Sequence, residues 1–268
     1  MNLKKMFLKL KSKSFVELLS LLVSATFLRN FFKIKQPNFI LNFSDSAFAR
    51  SLWANSSFSN KDYDAIQAIL DTNKIESMID VGANIGNISL YAASNSQAKV
   101  FAIEANLKTF SYLQKNINLN KMEKSISAHN VAIGDKVGTI MFENKRSDDM
   151  NSVAMSSAEI SNNPSVITVP ITTLDDLFLD KLKSVDLLKI DIEGYELFAL
   201  KGAKEILKKT KIIFFESYES QYNKFDYGFK DIFRLLDNSG FVIKNSAGDI
   251  LGKDYVSVNC ENLLAYKK

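Results

Sequence analysis

A glycine-containing turn and an acid about twenty residues further on are the first residues whose spacing suggests chemistry. Residues 80–86 read DVGANIG, and the acid is Glu104. Gly82 can bend the backbone and let a ligand approach without a Cβ in the way, and the amides that open the next helix would face that ligand. Glu104 could accept hydrogen bonds from both hydroxyls of a ribose. The pair predicts a site for a ribose-containing cofactor; glycines and a solvated acid with purely structural roles are the alternative.

Asp80 lies within an apolar strand just before this turn. A buried acid is costly unless it is hydrogen-bonded. Its expected partners are loop amides or the amino-acid end of a cofactor, and a purely structural anchor is the competing interpretation.

A second, denser group of acids occurs in residues 189–196, KIDIEGYE. Asp191, Glu193 and Glu196 would repel one another unless Lys189, substrate hydroxyls or a bound cation relieved the repulsion. Asp191 should lie at the carboxyl end of a strand, the edge where open α/β sheets bind ligands. For Glu193 and Glu196, helix capping and salt bridging are an equally open interpretation.

Short apolar strands alternate with helices of about 10–15 residues from residue 78 onward, which predicts a parallel, Rossmann-like α/β sheet. Expected strands are 78–82, 100–104, 126–133, 186–192, 211–215, 241–243 and 263–266; a hairpin-like stretch covers 137–142, and residues 166–171 are expected to be extended. Expected helices are 62–70, 85–93, 107–119, 174–182, 196–207 and 229–236.

The polar segment 145–164 is long enough to be a lid, and its Asn151-Ser152 could touch the donor or the acceptor; a solvated loop is the alternative. Tyr195 and Tyr218 could line a sugar site by stacking, or simply pack at an edge. His129 is expected to be structural rather than a catalytic base.

The charge is unevenly distributed along the 268 residues. Residues 1–35 hold eight Lys/Arg against Glu17, a net charge of +7, so the rest of the chain sums to −3. A slightly acidic body does not favour nucleic acid as a partner. One cysteine and one histidine exclude a disulfide framework and a zinc site built from several such ligands.

Residues 1–60 are expected to be a basic amphipathic extension and an edge-covering segment, and residues 61–268 the main domain. The apolar run 15–28 is shorter than the ~20 residues that a bilayer span needs. It is interpreted as a helix packed on the protein, a helix on an anionic membrane surface, or a signal sequence.

Several blocks occur in an order that resembles the FkbM family of methyltransferases. They are residues 81–86 (VGANIG), Glu104, 130–135 (NVAIGD), 173–177 (TLDDL) and 189–196 (KIDIEGYE) followed by 201–203 (KGA). The resemblance covers about residues 76–218. It implies a class I methyltransferase fold, a mostly parallel seven-stranded sheet with an antiparallel last strand, with S-adenosylmethionine as the cofactor. The implied activity is O-methylation of a hydroxyl on a sugar, glycan or related natural product.

The resemblance and the chemistry of the residues described above together suggest the roles of individual site residues. Expected cofactor-binding residues are Asp80, Gly82, Asn84, Gly86, Asn87, Glu104, Ala105, Asn130, Ala132 and Asp191. Expected catalytic residues are Asp191 as first candidate base, Glu216 as second, and Lys189. Expected substrate residues are Glu193, Tyr195, Tyr218, Asn151 and Ser152, and no metal site is expected because no complete ligand set is evident.

Two other classes stay open: a methyltransferase-fold scaffold that has lost catalysis, and a nicotinamide-dependent oxidoreductase. The latter predicts a fuller G-x-G-x-x-G turn than residues 80–86 show. We expect a cytoplasmic protein acting on a small molecule, a sugar or a lipid-linked glycan. Contact with the inner face of the membrane through residues 1–35 is one of the interpretations that stay open. Oligomeric state is not readable from the sequence.

Overall fold

The computed structural model describes residues 31–44, 61–143, 152–153 and 166–268, together with Val23, Ala49 and Leu52. Most of the basic N-terminal extension and of the segment 145–164 therefore lies outside the described residues. Within that extension Val23 is helical and buried.

A seven-stranded sheet forms the centre of the protein and confirms the predicted fold. Its strands are β3 (Ser77–Val81), β4 (Lys99–Ile103), β5 (Ile126–His129), β10 (Val185–Ile190), β11 (Thr210–Ser217), β12 (Phe241–Lys244) and β13 (Glu261–Lys267). Their order is β5-β4-β3-β10-β11-β13-β12, and β13 runs antiparallel to both neighbours while the other pairings are parallel. The order reverses between β3 and β10, the kind of point where such sheets bind ligands.

Eight α-helices are described around the sheet. They are α1 (Lys61–Thr72), α2 (Asn87–Asn95), α3 (Leu107–Leu119), α4 (Leu174–Phe178), α5 (Glu196–Lys201), α6 (Lys204–Lys209), α7 (Glu219–Tyr222), which a 3-10 turn (Asn223–Phe225) follows, and α8 (Phe229–Asn238). Adjacent strand residues point to opposite faces: Met78 packs with residues of α1–α3, and Ile79 with residues of α4–α6 and α8. Both faces are thus covered, which is why β10 is buried along its whole length.

A second, four-stranded sheet was not predicted. It has the order β6-β9-β7-β8, from β6 (Ala132–Ile133), β7 (Gly138–Glu143), β8 (Ser152–Val153) and β9 (Val166–Thr172). The single strand expected over 126–133 is therefore wrong: β5 ends at His129, and the chain crosses to the other sheet. The local sequence pattern of residues 126–133 does not show which strand each part pairs with.

The helix expected over 196–207 is also divided in two, at Gly202. A Cβ there would lie 2.0 Å from the carbonyl oxygen of Gly134, so the chain passes close to the block at 130–135. The carboxylate of Asp175 accepts the amides of Glu205 and Ile206 and so starts α6. The helix expected over 174–182 is shorter and ends at Phe178.

Two short strands near the N-terminus, β1 (Lys33–Lys35) and β2 (Ile40–Asn42), form an antiparallel pair. The amides of Ile40 and Asn42 donate to the side chains of Asn120 and Asn116, which anchors the pair on α3. Among the described helices, none combines the length and apolar character that a membrane crossing requires.

Candidate functional site

One cavity of about 240 Å³ lies at the carboxyl ends of β3, β4, β10 and β11. The turn after β3 and Glu104 form one side, and the acids that follow β10 and end β11 form the other. Its lining residues include Gly82, Asn84, Asn87, Glu104, Ala105, Ala132, Lys189, Asp191, Glu193, Tyr195 and Glu216. The sequence blocks that are far apart in the chain therefore meet at one site.

Gly82 brings the two sides together. Its φ is +79°, and a Cβ there would lie 1.8 Å from the carbonyl oxygen of Asp191. The amides of Gly82 and Ala83 both donate to the carbonyl of Ile103. Glycine is thus required for two reasons, the left-handed backbone and the contact with the chain after β10.

Glu104 is almost fully buried, and its carboxylate accepts backbone amides. Oε2 accepts from the amide of Asn84 at 3.0 Å and Oε1 from that of Asn106 at 2.8 Å. An ionised carboxylate can accept several hydrogen bonds at its two oxygens, which is the chemistry that ligand hydroxyls require. Asn84 has a left-handed φ of 52°, which an asparagine tolerates better than most residues.

Asp80 is completely buried and has two partners. Ser89 donates to its Oδ2 at 2.6 Å, and Lys189 Nζ lies 3.1 Å from Oδ1, an ion pair whose alignment falls short of a hydrogen bond. Lys189 stands opposite Asp80 in the parallel pairing of β10 with β3 and is also buried. Its Nζ lies 3.4 Å from Asp191 as well, so it links the two sides of the cavity.

The remaining predicted cofactor residues divide into two groups. Asn87, Ala105 and Ala132 line the cavity, whereas Gly86 and Asn130 are not among its lining residues. Gly86, with φ +93°, leaves space for Leu90 and Leu113. Asn130 donates to the carbonyls of Glu104 and Ala105, so its side chain holds the loop after β4.

Three acids converge on the other side of the cavity. Asp191, Glu193 and Glu216 each offer a carboxylate oxygen, and these oxygens lie within 4.8 Å of one another. Carboxylate oxygens are also the ligand atoms that hard cations prefer. Three such ligands are fewer than the six to eight oxygen ligands of a calcium site. The expectation of no metal stays a prediction.

Glu193 is the most perturbed of these acids. Burial raises its pKa to about 8, and the nearby Glu216, Asp191 and Glu196 add to the effect. Gln221 donates to its Oε2 at 2.9 Å. At neutral pH this side chain therefore carries a proton and can itself donate a hydrogen bond.

Glu196 is buried and turned away from the cavity lining, which favours the structural interpretation. Its Oε1 accepts the amides of Ile192 and Gly194, and burial raises its pKa to about 8. It fixes the loop that presents Asp191 and Glu193.

The sequence did not predict some of the residues that contribute to the site. Cys260 donates from Sγ to Glu216 Oε1 at 2.9 Å, and burial and this carboxylate raise the pKa of the thiol. Phe142 and Val153, from the second sheet, form an apolar part of the cavity wall. An apolar residue in a strand carries no sequence signal that distinguishes a pocket wall from a core.

Only some of the aromatic and loop residues predicted to bind substrate line the cavity. Tyr195 lines the cavity and stacks on Phe198 with ring centroids 4.4 Å apart, but Tyr218 is not among the lining residues. Asn151 lies outside the described residues, and Ser152 is described only as part of β8. His129 packs edge-on against Phe178, away from the cavity lining.

The methyltransferase FkbM domain model matches residues 80–243, more than half of the chain. The chain belongs to this family. Methyltransferase 1 of Beauveria bassiana is 27% identical over 143 residues, covering 47% of this chain and 57% of that protein. Methyltransferase sdnD of Sordaria araneosa is 27% identical over 156 residues, covering 48% and 60%. The matched region thus spans less than two thirds of these curated relatives.

A solved S-adenosylmethionine-dependent methyltransferase from Agrobacterium tumefaciens is similar at 12% identity with a TM-score of 0.48, covering 88% of this chain and 69% of that one. The cofactor expected for an FkbM methyltransferase is S-adenosylmethionine, and the cavity residues fit it. Glu104 offers acceptors suited to ribose hydroxyls. The Nδ2 atom of Asn87 is a buried donor that has no hydrogen-bond partner in the described part of the chain.

Proposed function

We propose that the chain transfers a methyl group from S-adenosylmethionine to a hydroxyl group of a sugar, a glycan or a related natural product. One observation carries the proposal: Asp191, Glu193 and Glu216 converge in the same cavity as the glycine turn and Glu104. A site that holds donor and acceptor together can gain much of its rate enhancement from orientation alone.

The donor would be held by the side of the cavity formed by the turn after β3. Glu104 would accept hydrogen bonds from the ribose, and the backbone at Gly82 would approach the ligand closely. When bound, S-adenosylmethionine supplies an electrophilic methyl group on a sulfonium centre that leaves as a neutral thioether. The side chains of Ala105 and Ala132 are small and leave room along the cavity wall.

The acceptor hydroxyl must lose a proton during the reaction, which calls for a general base. Asp191 is the first candidate because its carboxylate is on the cavity, 40% exposed, with its charge balanced by Lys189. Glu216 is the second candidate. Protonated Glu193 would donate a hydrogen bond to the acceptor and so orient it, which gives neighbouring acids different roles through their surroundings.

The chemistry of this side favours an acceptor with several hydroxyls. Carboxylates accept hydrogen bonds from hydroxyls, and an anionic acceptor would be repelled by the carboxylates of Asp191 and Glu216 at close range. Tyr195 and Phe142 add the apolar surface that a sugar ring can use. Four wider proposals rest on the sequence pattern alone. They are a lipid-linked acceptor, membrane contact through residues 1–35, a cytoplasmic location and a domain boundary near residue 60.

The test begins with calorimetric titration of S-adenosylmethionine into the purified protein, with NAD and NADP as comparison ligands. Binding of the methyl donor alone is expected. The second step measures transfer of isotopically labelled methyl groups to a panel of neutral sugars, glycosides and polyols, with and without EDTA. Labelled product that does not depend on EDTA is the expected result.

Each other outcome would overturn a stated part of the proposal. Selective binding of NAD would move the chain to the oxidoreductases. Donor binding without transfer to any hydroxyl acceptor would favour the non-catalytic scaffold, and transfer that EDTA abolishes would assign a cation to the three acids.

A further inference from the structure

Helix α2 begins with the buried side-chain amide of Asn87. Asn87 is 3% exposed and lines the cavity, and its Nδ2 makes no hydrogen bond with any residue that the structure describes. A buried donor that makes no hydrogen bond carries the full cost of its lost hydration. Such a group in a cavity wall is therefore expected to find its partner in a ligand.

The other end of the same amide is already occupied. Tyr63, on α1, donates its hydroxyl to Asn87 Oδ1. With Oδ1 engaged, the group that remains for a ligand is the NH₂, so the hydroxyl determines which end of the amide serves the cavity. Tyr63 itself is buried, at 2% exposed.

The ring of Tyr63 is held in place by the packing of α1 on α2. It lies 4.5 Å from the ring of Tyr91, centroid to centroid. Tyr91 in turn donates from its hydroxyl to Gln67, also on α1, at 2.7 Å. These contacts fix the position of the Tyr63 ring. Tyr63 also lies outside residues 80–243, the part of the chain that matches the family model.

We propose that Tyr63 is a positioning residue for donor binding, which directs the Asn87 NH₂ group toward the α-carboxylate of S-adenosylmethionine. This inference rests on the proposed function. An NH₂ group is a donor, and the amides at the start of α2 favour an anion, so the ligand group that suits this end of the cavity is a carboxylate. The hydroxyl-rich ribose is suited instead to the acceptor atoms of Glu104.

The first experiment compares Tyr63→Phe with the wild-type chain. This substitution keeps the ring that packs on Tyr91 and removes only the hydroxyl. The dissociation constants for S-adenosylmethionine and S-adenosylhomocysteine, which both carry the α-carboxylate, are expected to rise ~5–10-fold, as for the loss of one neutral hydrogen bond that holds the amide in place. The affinity for 5′-methylthioadenosine, which lacks the carboxylate, is expected to stay within ~2-fold, because this ligand makes no hydrogen bond with the Asn87 amide that the substitution could weaken.

Two further variants keep the test specific. Tyr91→Phe removes a hydroxyl from the same helix pair without touching Asn87, and it should bind all three ligands like the wild-type chain. In an Asn87→Ala background, Tyr63→Phe should have no further effect on S-adenosylmethionine, because the amide it positions is gone.

The outcomes separate this inference from the proposed function. If the wild-type chain does not bind S-adenosylmethionine, the proposed function fails first. If it binds but Tyr63→Phe binds equally well, or if 5′-methylthioadenosine weakens by the same factor, the positioning role of Tyr63 is overturned while the methyltransferase proposal stands.

Discussion

Glu104 and Glu193 line the same cavity, yet their surroundings differ. Glu104 has a backbone amide on each oxygen, so its negative charge is stabilised by the chain before any ligand arrives. Glu193 has one side-chain amide and three neighbouring acids, and burial raises its pKa to about 8. On the donor side of the cavity the surroundings thus stabilise the charged form of a carboxyl group, whereas on the acceptor side they favour the neutral form.

The same contrast holds for the two aspartates. Asp80 is fully buried with Ser89 and Lys189 as partners, whereas Asp191 keeps 40% of its side chain exposed and shares Lys189 at the longer distance. A group that is satisfied within the protein serves structure and binding. A group that keeps free capacity at a cavity is better suited to accept a proton.

The largest effect is expected from Asp191→Asn, which removes the first candidate base. The rate constant kcat should fall by ~10²–10⁴, the usual contribution of general base catalysis. The dissociation constant for S-adenosylmethionine should change far less, because the asparagine keeps the shape of the side chain. Asp254→Asn, at an exposed position, is the matched control for the charge change.

Single-turnover rates and calorimetric binding constants check this prediction. If Asp191→Asn keeps its rate and Glu216→Gln loses it, the base is Glu216 and the order of the two candidates is wrong. If neither loses rate, no carboxylate of the cluster acts as the base.

A smaller effect, on binding, is expected from Glu104→Ala. The variant loses the acceptor for the ribose and leaves the amides of Asn84 and Asn106 without their partner, so the affinity for S-adenosylmethionine should fall ~10–100-fold. The value of kcat at saturating donor should stay close to that of the wild-type chain. Isothermal titration with Glu123→Ala, at an exposed loop position, as control measures this; an unchanged affinity would remove Glu104 from the donor site.

The smallest effect concerns pH. The pKa of Glu193 in the folded chain is about 8 against an ordinary 4.5, so the folded state binds more protons than the unfolded state between these values. Stability from this group is present below pH 4.5 and is lost as pH rises through 8. Glu193→Gln should therefore have the higher melting temperature at pH 9, at roughly 2–4 °C for each kcal/mol relieved, and little advantage at pH 4.5.

Thermal melts of Glu193→Gln from pH 4.5 to 9 check this sign, with Glu123→Gln as the exposed control. Part of the slope should remain, because burial also raises the pKa of Glu196 to about 8. The role of Glu193 as a neutral donor adds a kinetic readout: the wild-type rate should decline above pH 8 and the variant should not. A rate that rises through pH 8 would instead make Glu193 the base.

The sequence predicted the parts of this fold that local pattern controls. Strands such as β3 and β10 are mostly apolar and almost wholly buried, because both faces of the sheet are covered, and the turn at Gly82 follows from the backbone it must adopt. The position of Asp191 beside this turn followed from the rule that parallel strands end at one edge.

The sequence could not show which strand pairs with which. Ala132 and Ile133 continue the apolar pattern of β5, yet they pair with β9, some forty residues further along. Phe142 and Val153 reach the cavity only because β7, β8 and β9 form a separate sheet. The contact of Cys260 with Glu216 likewise depends on the pairing of β13 with β11, a long-range event without a local signal.

The contact between Gly82 and the backbone of Asp191 limits how this protein can be recombined with its relatives. Because a side chain at position 82 would occupy the place of the Asp191 carbonyl, the donor half and the acceptor half do not behave as interchangeable modules. A chimera that takes its acceptor half from another family member must reproduce the path of the chain after β10. If it does not, the imported half would displace the turn that holds the methyl donor, and a change meant to alter acceptor choice would first weaken the binding of the cofactor.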